Sequence, residues 1–232
     1  RGLIKKEIRL FKRDPNLIWA SIGIVLIMIG LSIGMLLSYS SDFLADGIFA
    51  LFMMFPLLSV LLLTPTTYIS TSLATERKTL AILYASPISP EHILKPKLFI
   101  AGVIQTLAIL IETLLLTIFI KFDLLILLEI GLLSINTILL GTGLGAHFAT
   151  KYINFRTRNP RKALTTTGSL LLALVMLGYM AVIGVGLFIT LLNTIAGLLF
   201  FFILLVVSAI LCINLIKSGA SNLQKIDTTE FL

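Results

Sequence analysis

Residues 163–216, ALTTTGSLLLALVMLGYMAVIGVGLFITLLNTIAGLLFFFILLVVSAILCINLI, run for 54 positions without an Asp, Glu, Lys or Arg. As one helix the stretch would reach about 80 Å at ~1.5 Å per residue, against a bilayer hydrocarbon core of about 30 Å. It therefore predicts two antiparallel membrane spans. Their turn is expected near Leu192, Asn193 and Thr194, with Gly184 and Gly186 as an alternative break.

The same punctuation recurs towards the N-terminus. Uncharged runs cover 15–41, 47–75, 98–120 (broken by Glu112) and 124–150 (broken by Glu129). The expectation is an all-α polytopic membrane protein with about six transmembrane helices. It forms a single transmembrane domain over 1–232, with spans at about 16–39, 46–70, 97–120, 124–148, 165–190 and 195–217. Composition agrees: 58% of the 232 residues are hydrophobic and 12% charged, with a mean hydropathy of +1.08. A soluble chain carries roughly 25% charged residues, so a soluble domain is excluded. Pro56 and Pro65 are expected to kink the second span. The lone Cys212 excludes a disulfide framework within the chain.

The net charge of +7 does not require nucleic acid. On the six-span layout, Lys121 is the one basic residue of 18 on the far side, beside Asp42, Asp46 and Asp123. The rest fall before the first span, in the loop 71–96 or at its border (Lys97), in the loop 151–162, and in the tail 218–232 or at its border (Lys217). The positive-inside rule then puts both termini in the cytoplasm of a multi-pass cell-membrane protein. The chain begins at Arg1 without a cleavable leader pattern, which suggests the later part of a longer polypeptide.

Residues 1–14, RGLIKKEIRLFKRD, place Ile4, Ile8 and Phe11 on one helical face, with Lys5, Arg9 and Lys12 opposite. That pattern predicts an amphipathic interfacial helix on membrane lipids, ended by Asp14-Pro15 to make an elbow. In the loop 71–96, Thr79 to Ala85 reads either as a short surface helix ended by Ser86-Pro87 or as a solvated connection. Ser89-Pro90-Glu91 has the signature of a helix start.

The string ERKTLAILYASPISPEHILKPKLF, Glu76 to Phe99, resembles a loop of ATP-binding-cassette type 2 (ABC-2) exporter permeases. IKKEIRLFKRDP is similar to the helix before the first span in that family, and KYINFRTRNPRKALTTTGSLL, Lys151 to Leu171, to a loop of one subgroup, often in the second half of a longer permease. Two departures stand out: Lys78 where many members have Gly, and Pro96-Lys97 in place of Gly-Lys. The resemblance implies a permease that moves substrate outward by alternating access. A cytoplasmic ABC ATPase subunit would bind a coupling helix between spans two and three through Glu76, Arg77, Thr79, Leu80, Leu83, Tyr84, Ser86 and Pro87. A second permease half or a homodimer partner is implied too. ATP and Mg would belong to the partner subunit, and this chain would be no enzyme and bind no cofactor itself. No G-x-x-x-x-G-K-[ST] run occurs in the sequence. A membrane scaffold or channel is the alternative.

Inside the bilayer, Glu112 and Glu129 fall at similar depth if 121–123 turns a hairpin, giving either an acidic pair on a pathway or two braced acids bonded to groups such as Gln105, Thr113 or Asn136. Gly141 and Gly145 have the G-x-x-x-G spacing for close helix approach, with Gly143 between them. His92 and His147 stand alone, so no metal site is expected.

Overall fold

The computed structural model describes residues 2–38, 47–77, 80, 89–119, 123–155, 157 and 159–225. Among them are seven α-helices: α1 (Gly2–Arg13), α2 (Pro15–Ser38), α3 (Gly47–Thr75), α4 (Pro90–Phe119), α5 (Leu124–Lys151), α6 (Thr166–Leu192) and α7 (Thr194–Gln224). The described residues form no strand beyond a single bridge between Ile153 and Leu164. Five helices, α2 and α4 to α7, are long and apolar enough to cross a membrane. α3 is a further apolar helix of 29 residues.

The helix ends follow capping chemistry. Asp14 alone separates α1 from α2; its carboxylate accepts from the Asn16 amide at 2.8 Å and its carbonyl from Leu17 and Ile18, while Pro15 takes the first helical position, where no amide is needed. Asn193 separates α6 from α7 and caps α7 by accepting from the Ile195 and Ala196 amides at 3.0 and 3.2 Å. Gly184 and Gly186 lie within continuous α6, so the alternative break does not form. Thr165 caps α6 through the Gly168 amide.

Two helices are longer than the hydropathy pattern indicates. α4 starts at Pro90 rather than 97, because Ser89, Pro90 and Glu91 make a start strong enough to carry Pro96 and Lys97 within the helix. α7 continues past Lys217 to Gln224 because Gly219 presses on Ala146 of α5; a Cβ at Gly219 would stand 2.6 Å from the Ala146 carbonyl oxygen.

α5 is the central post and packs most extensively on α7 and α3. Its glycines do not form one stripe. Gly141 and Gly145 face α3 and α4, where a Cβ would meet Gln105 Nε2 at 2.6 Å and Pro65 Cβ at 2.8 Å. Gly143 faces α7, 2.9 Å from the Cys212 Cα on the same measure. Small residues on both sides let α5 approach two neighbours closely.

Two buried apolar clusters result. One runs through the bundle and includes Leu61, Leu62, Leu133, Leu140, Ile183 and Phe201. The other gathers Leu17, Tyr68, Leu73, Leu94, Phe155 and Leu223 at the end where α1, the start of α4 and the segment 151–165 meet. We call this the basic end.

Candidate functional site: a buried ionic latch at the basic end

α1 is amphipathic, and the face it turns to the bundle is centred on an acid. Glu7 is the buried residue, 3% exposed, flanked on the same face by half-buried Leu3 and Leu10. Ile4 and Ile8 are exposed. Ile8 and Phe11 line an apolar groove of about 430 Å³ with Val25 and Ile29 of α2 and Val103 and Leu107 of α4. Lys5 and Arg9 are exposed on the outer side. The reason for burying an acid lies on other helices.

That reason is Lys97, in the second turn of α4 and 1% exposed. Its ammonium donates to both Glu7 carboxylate oxygens at 3.1 and 3.0 Å, to Glu76 Oε2 at 2.7 Å, and to Ser72 Oγ. Ser72 donates onward to Glu7 Oε1 at 2.7 Å, and the Tyr68 hydroxyl donates to the same oxygen at 3.0 Å. Lys6, on the rim, reaches Glu76 Oε1 at 2.6 Å. Two lysines face two glutamates, so the cluster is formally neutral, and all three ammonium protons of Lys97 have acceptors. A buried charge is tolerable on those terms.

Burial alone would push the Glu76 carboxyl up, but the attraction of Lys97, with hydrogen bonds from Lys6 and Lys97, outweighs burial and holds it below the usual carboxylate range. Phe11 packs edge-on against the Tyr68 ring at 5.9 Å between centroids, which seals the hydroxyl end of the latch.

The latch joins α1, the last turn of α3 and the first turns of α4. Glu76 begins the segment singled out in the sequence. Its carbonyl accepts from the Leu80 amide at 2.8 Å, and the Leu80 side chain is buried in the basic-end cluster. Arg77 Nη1 donates to the Phe155 carbonyl at 2.9 Å, linking the end of α3 to the segment 151–165. Thr79, Leu83, Tyr84, Ser86 and Pro87, and with them the expected coupling helix, lie outside the described residues.

The two intramembrane acids do not form a pair. Glu112 accepts from Ser32 of α2 at 3.3 Å, and Glu129 from Thr190 of α6 at 3.2 Å. Each is held by a hydroxyl on another helix, as the braced reading has it, though by Ser32 and Thr190 and not by Gln105, Thr113 or Asn136. Gln105 and Asn136 are engaged elsewhere, donating to the Leu61 and Phe201 carbonyls.

Glu7, Ser72 and Tyr68 were not legible as site residues, although one signal was present. Glu7 is the only acid among the first 13 residues, which hold six bases, and it shares a face with Leu3 and Leu10. His147 is bonded to Ser218 and His92 to Ser89. Among the described residues no three His, Cys, Asp or Glu side chains come together to hold a metal ion.

A family described as "Putative ATP-binding cassette" matches residues 1–218, and the chain belongs to that family. No curated protein and no solved structure matches it. The family's description corrects four expectations drawn from the resemblance. It names an ATP-binding cassette and not an ABC-2 permease. The exporter-permease function, with the scaffold or channel alternative, loses its basis. So do the non-enzymatic role and the assignment of ATP and Mg wholly to a partner. What remains is association with an ABC transporter system and helices fit for a membrane. The residues present do not supply the usual nucleotide cradle: a P-loop needs a strand, a glycine-rich turn and a Lys-Ser/Thr pair at a helix start, and the sequence has no such run.

Proposed function

We propose that the chain serves an ATP-binding cassette system from within the membrane, and that the Glu7–Lys97–Glu76 latch sets the arrangement of its basic end. The observation that carries this reading is a family match over residues 1–218 on a chain with five helices of spanning length and composition. α3 would supply the sixth span. The excess of Lys and Arg at the latch end argues that this end is cytoplasmic and that both termini lie there, in the cell membrane. Lys5 and Arg9 would then face anionic headgroups.

The latch is suited to switching because it is a closed, neutral set of charges shared by three helices. Pulling the Glu76 end of the 76–88 segment would take one carboxylate from Lys97 and leave a buried ammonium under-compensated. Such a cluster favours two discrete arrangements over a continuum. Other subunits of the system are therefore expected to act on the chain at the start of that segment, through half-buried Arg77, with buried Glu76 and Leu80 carrying the movement inward.

The test is an assembly extracted from membranes in mild detergent, melted with and without Mg·ATP. A nucleotide-dependent shift is expected in the wild type and should be lost in Lys97→Met. Photolabelling with an azido-ATP shows which chain takes the nucleotide. A wild-type assembly whose melting is indifferent to Mg·ATP would overturn the proposal.

A further inference from the structure

Away from the latch, a pocket of about 500 Å³ opens between α3, the short 3₁₀ turn Pro160–Lys162 and the start of α6. Its rim carries Arg161 and Lys162, both exposed, and neither forms an ion pair with an acid among the described residues. The turn that bears them is held in place: Asn159 accepts from the Arg161 amide at 3.1 Å, and the Asn154 and Ala163 backbones are hydrogen-bonded at 2.6 Å. The two cations therefore sit on a braced element.

The α3 wall of the pocket is formed by Thr66, Thr67 and Ser70. Thr67 donates to the Leu63 carbonyl at 2.7 Å and Ser70 to the Thr67 carbonyl at 3.2 Å, which leaves their hydroxyl oxygens as the polar atoms of a wall without charge. Two cations around one cavity, with no acid in its lining, match an anion.

The pocket also has a polarity gradient. Along α3 it passes from Ser70 to Leu63, and along α6 from Thr166 to buried Leu172, each about 10 Å of helix. One end is cationic and hydroxylated and the other apolar, which a free anion does not use and a lipid does. Basic pockets between membrane helices at the cytoplasmic side bind anionic headgroups on this principle.

We propose that the pocket binds the phosphate of an anionic phospholipid. Arg161 and Lys162 grip the phosphoryl oxygens, and the acyl chains leave past Leu63 and Leu172. An anionic lipid is favoured over a zwitterionic one because the latter brings its own ammonium to a rim that already holds two cations. The site shares no residue with the latch, so it stands or falls apart from the function proposed above.

The experiment is native mass spectrometry of the full chain after reconstitution in phosphatidylcholine vesicles doped with phosphatidylglycerol. The wild type should retain phosphatidylglycerol selectively. Arg161→Gln/Lys162→Gln, on an exposed turn, should lower retention about tenfold or more, given the worth of each cation near a lipid surface. Unchanged retention in the double variant overturns the site. Equal retention of phosphatidylcholine, or displacement by inorganic phosphate or ATP, overturns the lipid as its occupant.

Discussion

Two sets of buried carboxylates are handled in opposite ways. At the basic end, Glu7 and Glu76 surround Lys97 with Ser72 and Tyr68 completing the hydrogen bonds. In the middle of the bundle, Glu112 and Glu129 have no ion pair among the described residues, and each accepts from one hydroxyl, on Ser32 and Thr190. The contrast teaches where charge is structural. In the first set removing any member strands its opposite number, whereas in the second each acid can be neutral and still hold its bond.

Lys97→Met should break the contrast most severely. It leaves two buried carboxylates with one rim lysine between them, and breaking a buried pair typically costs about 3–5 kcal/mol. Thermal unfolding in detergent should show the loss, and the triple change Glu7→Gln/Glu76→Gln/Lys97→Met should recover much of it. If the single and triple variants melt alike, the latch is not an ionic unit.

Acid should loosen the same cluster. Because the folded Glu76 carboxyl is held low, the unfolded chain binds more protons in the window between the two values, so stability rises with pH there. The contribution is fully present above the ordinary carboxylate value of about 4.3 and is lost as pH falls through the lower folded one. Melting of wild type followed downward from neutral pH should fall below about pH 4 more steeply than that of Glu76→Gln. Parallel curves would remove Glu76 from the set of paired acids.

Tyr68→Phe tests the neutral edge of the latch. Hydrogen bonds to charged groups are worth about 1.5–3 kcal/mol, and Ser72 still serves Glu7, so the lower end of that range is expected in the same melting assay. The smallest effect should come from Glu129→Gln. The amide oxygen still accepts from Thr190, so a change of less than about 1 kcal/mol is expected. A loss as large as that of Lys97→Met would mean that Glu129 is a structural charge after all, and the comparison would fail.

The parts of the fold set by one-dimensional pattern were legible. An uncharged run too long for one crossing must turn, and Asn193 lies at that turn and caps α7. A basic amphipathic start followed by Asp14-Pro15 gives α1 and α2 with one residue between them. What hydropathy could not give was partnership. Glu7 reads as one acid in a basic helix until α3 and α4 bring Ser72 and Lys97 to it. The partners of Glu112 and Glu129, Ser32 and Thr190, were out of reach for the same reason, since depth along a helix says nothing of which helix lies alongside. Lys97 read as one more basic residue before a span and as a match to the Lys of a family pattern, while its burial depends on three elements distant in sequence. The family description likewise overturned an identity inferred from local motifs, because short strings of Ser, Pro, Thr and Leu occur wherever helices end at a membrane surface.

Asp14 deserves a mechanical reading. α1 and α2 meet at a joint of one residue whose main-chain and side-chain oxygens are both committed to capping α2. Such a joint has little slack, so the two helices behave as a bell crank. α2 is 24 residues long. At about 36 Å of length, each degree through which the crank turns carries the far end of α2 about 0.6 Å. Glu7, about 10 Å from the joint, moves roughly a third as far, so α2 amplifies a displacement at the latch about threefold.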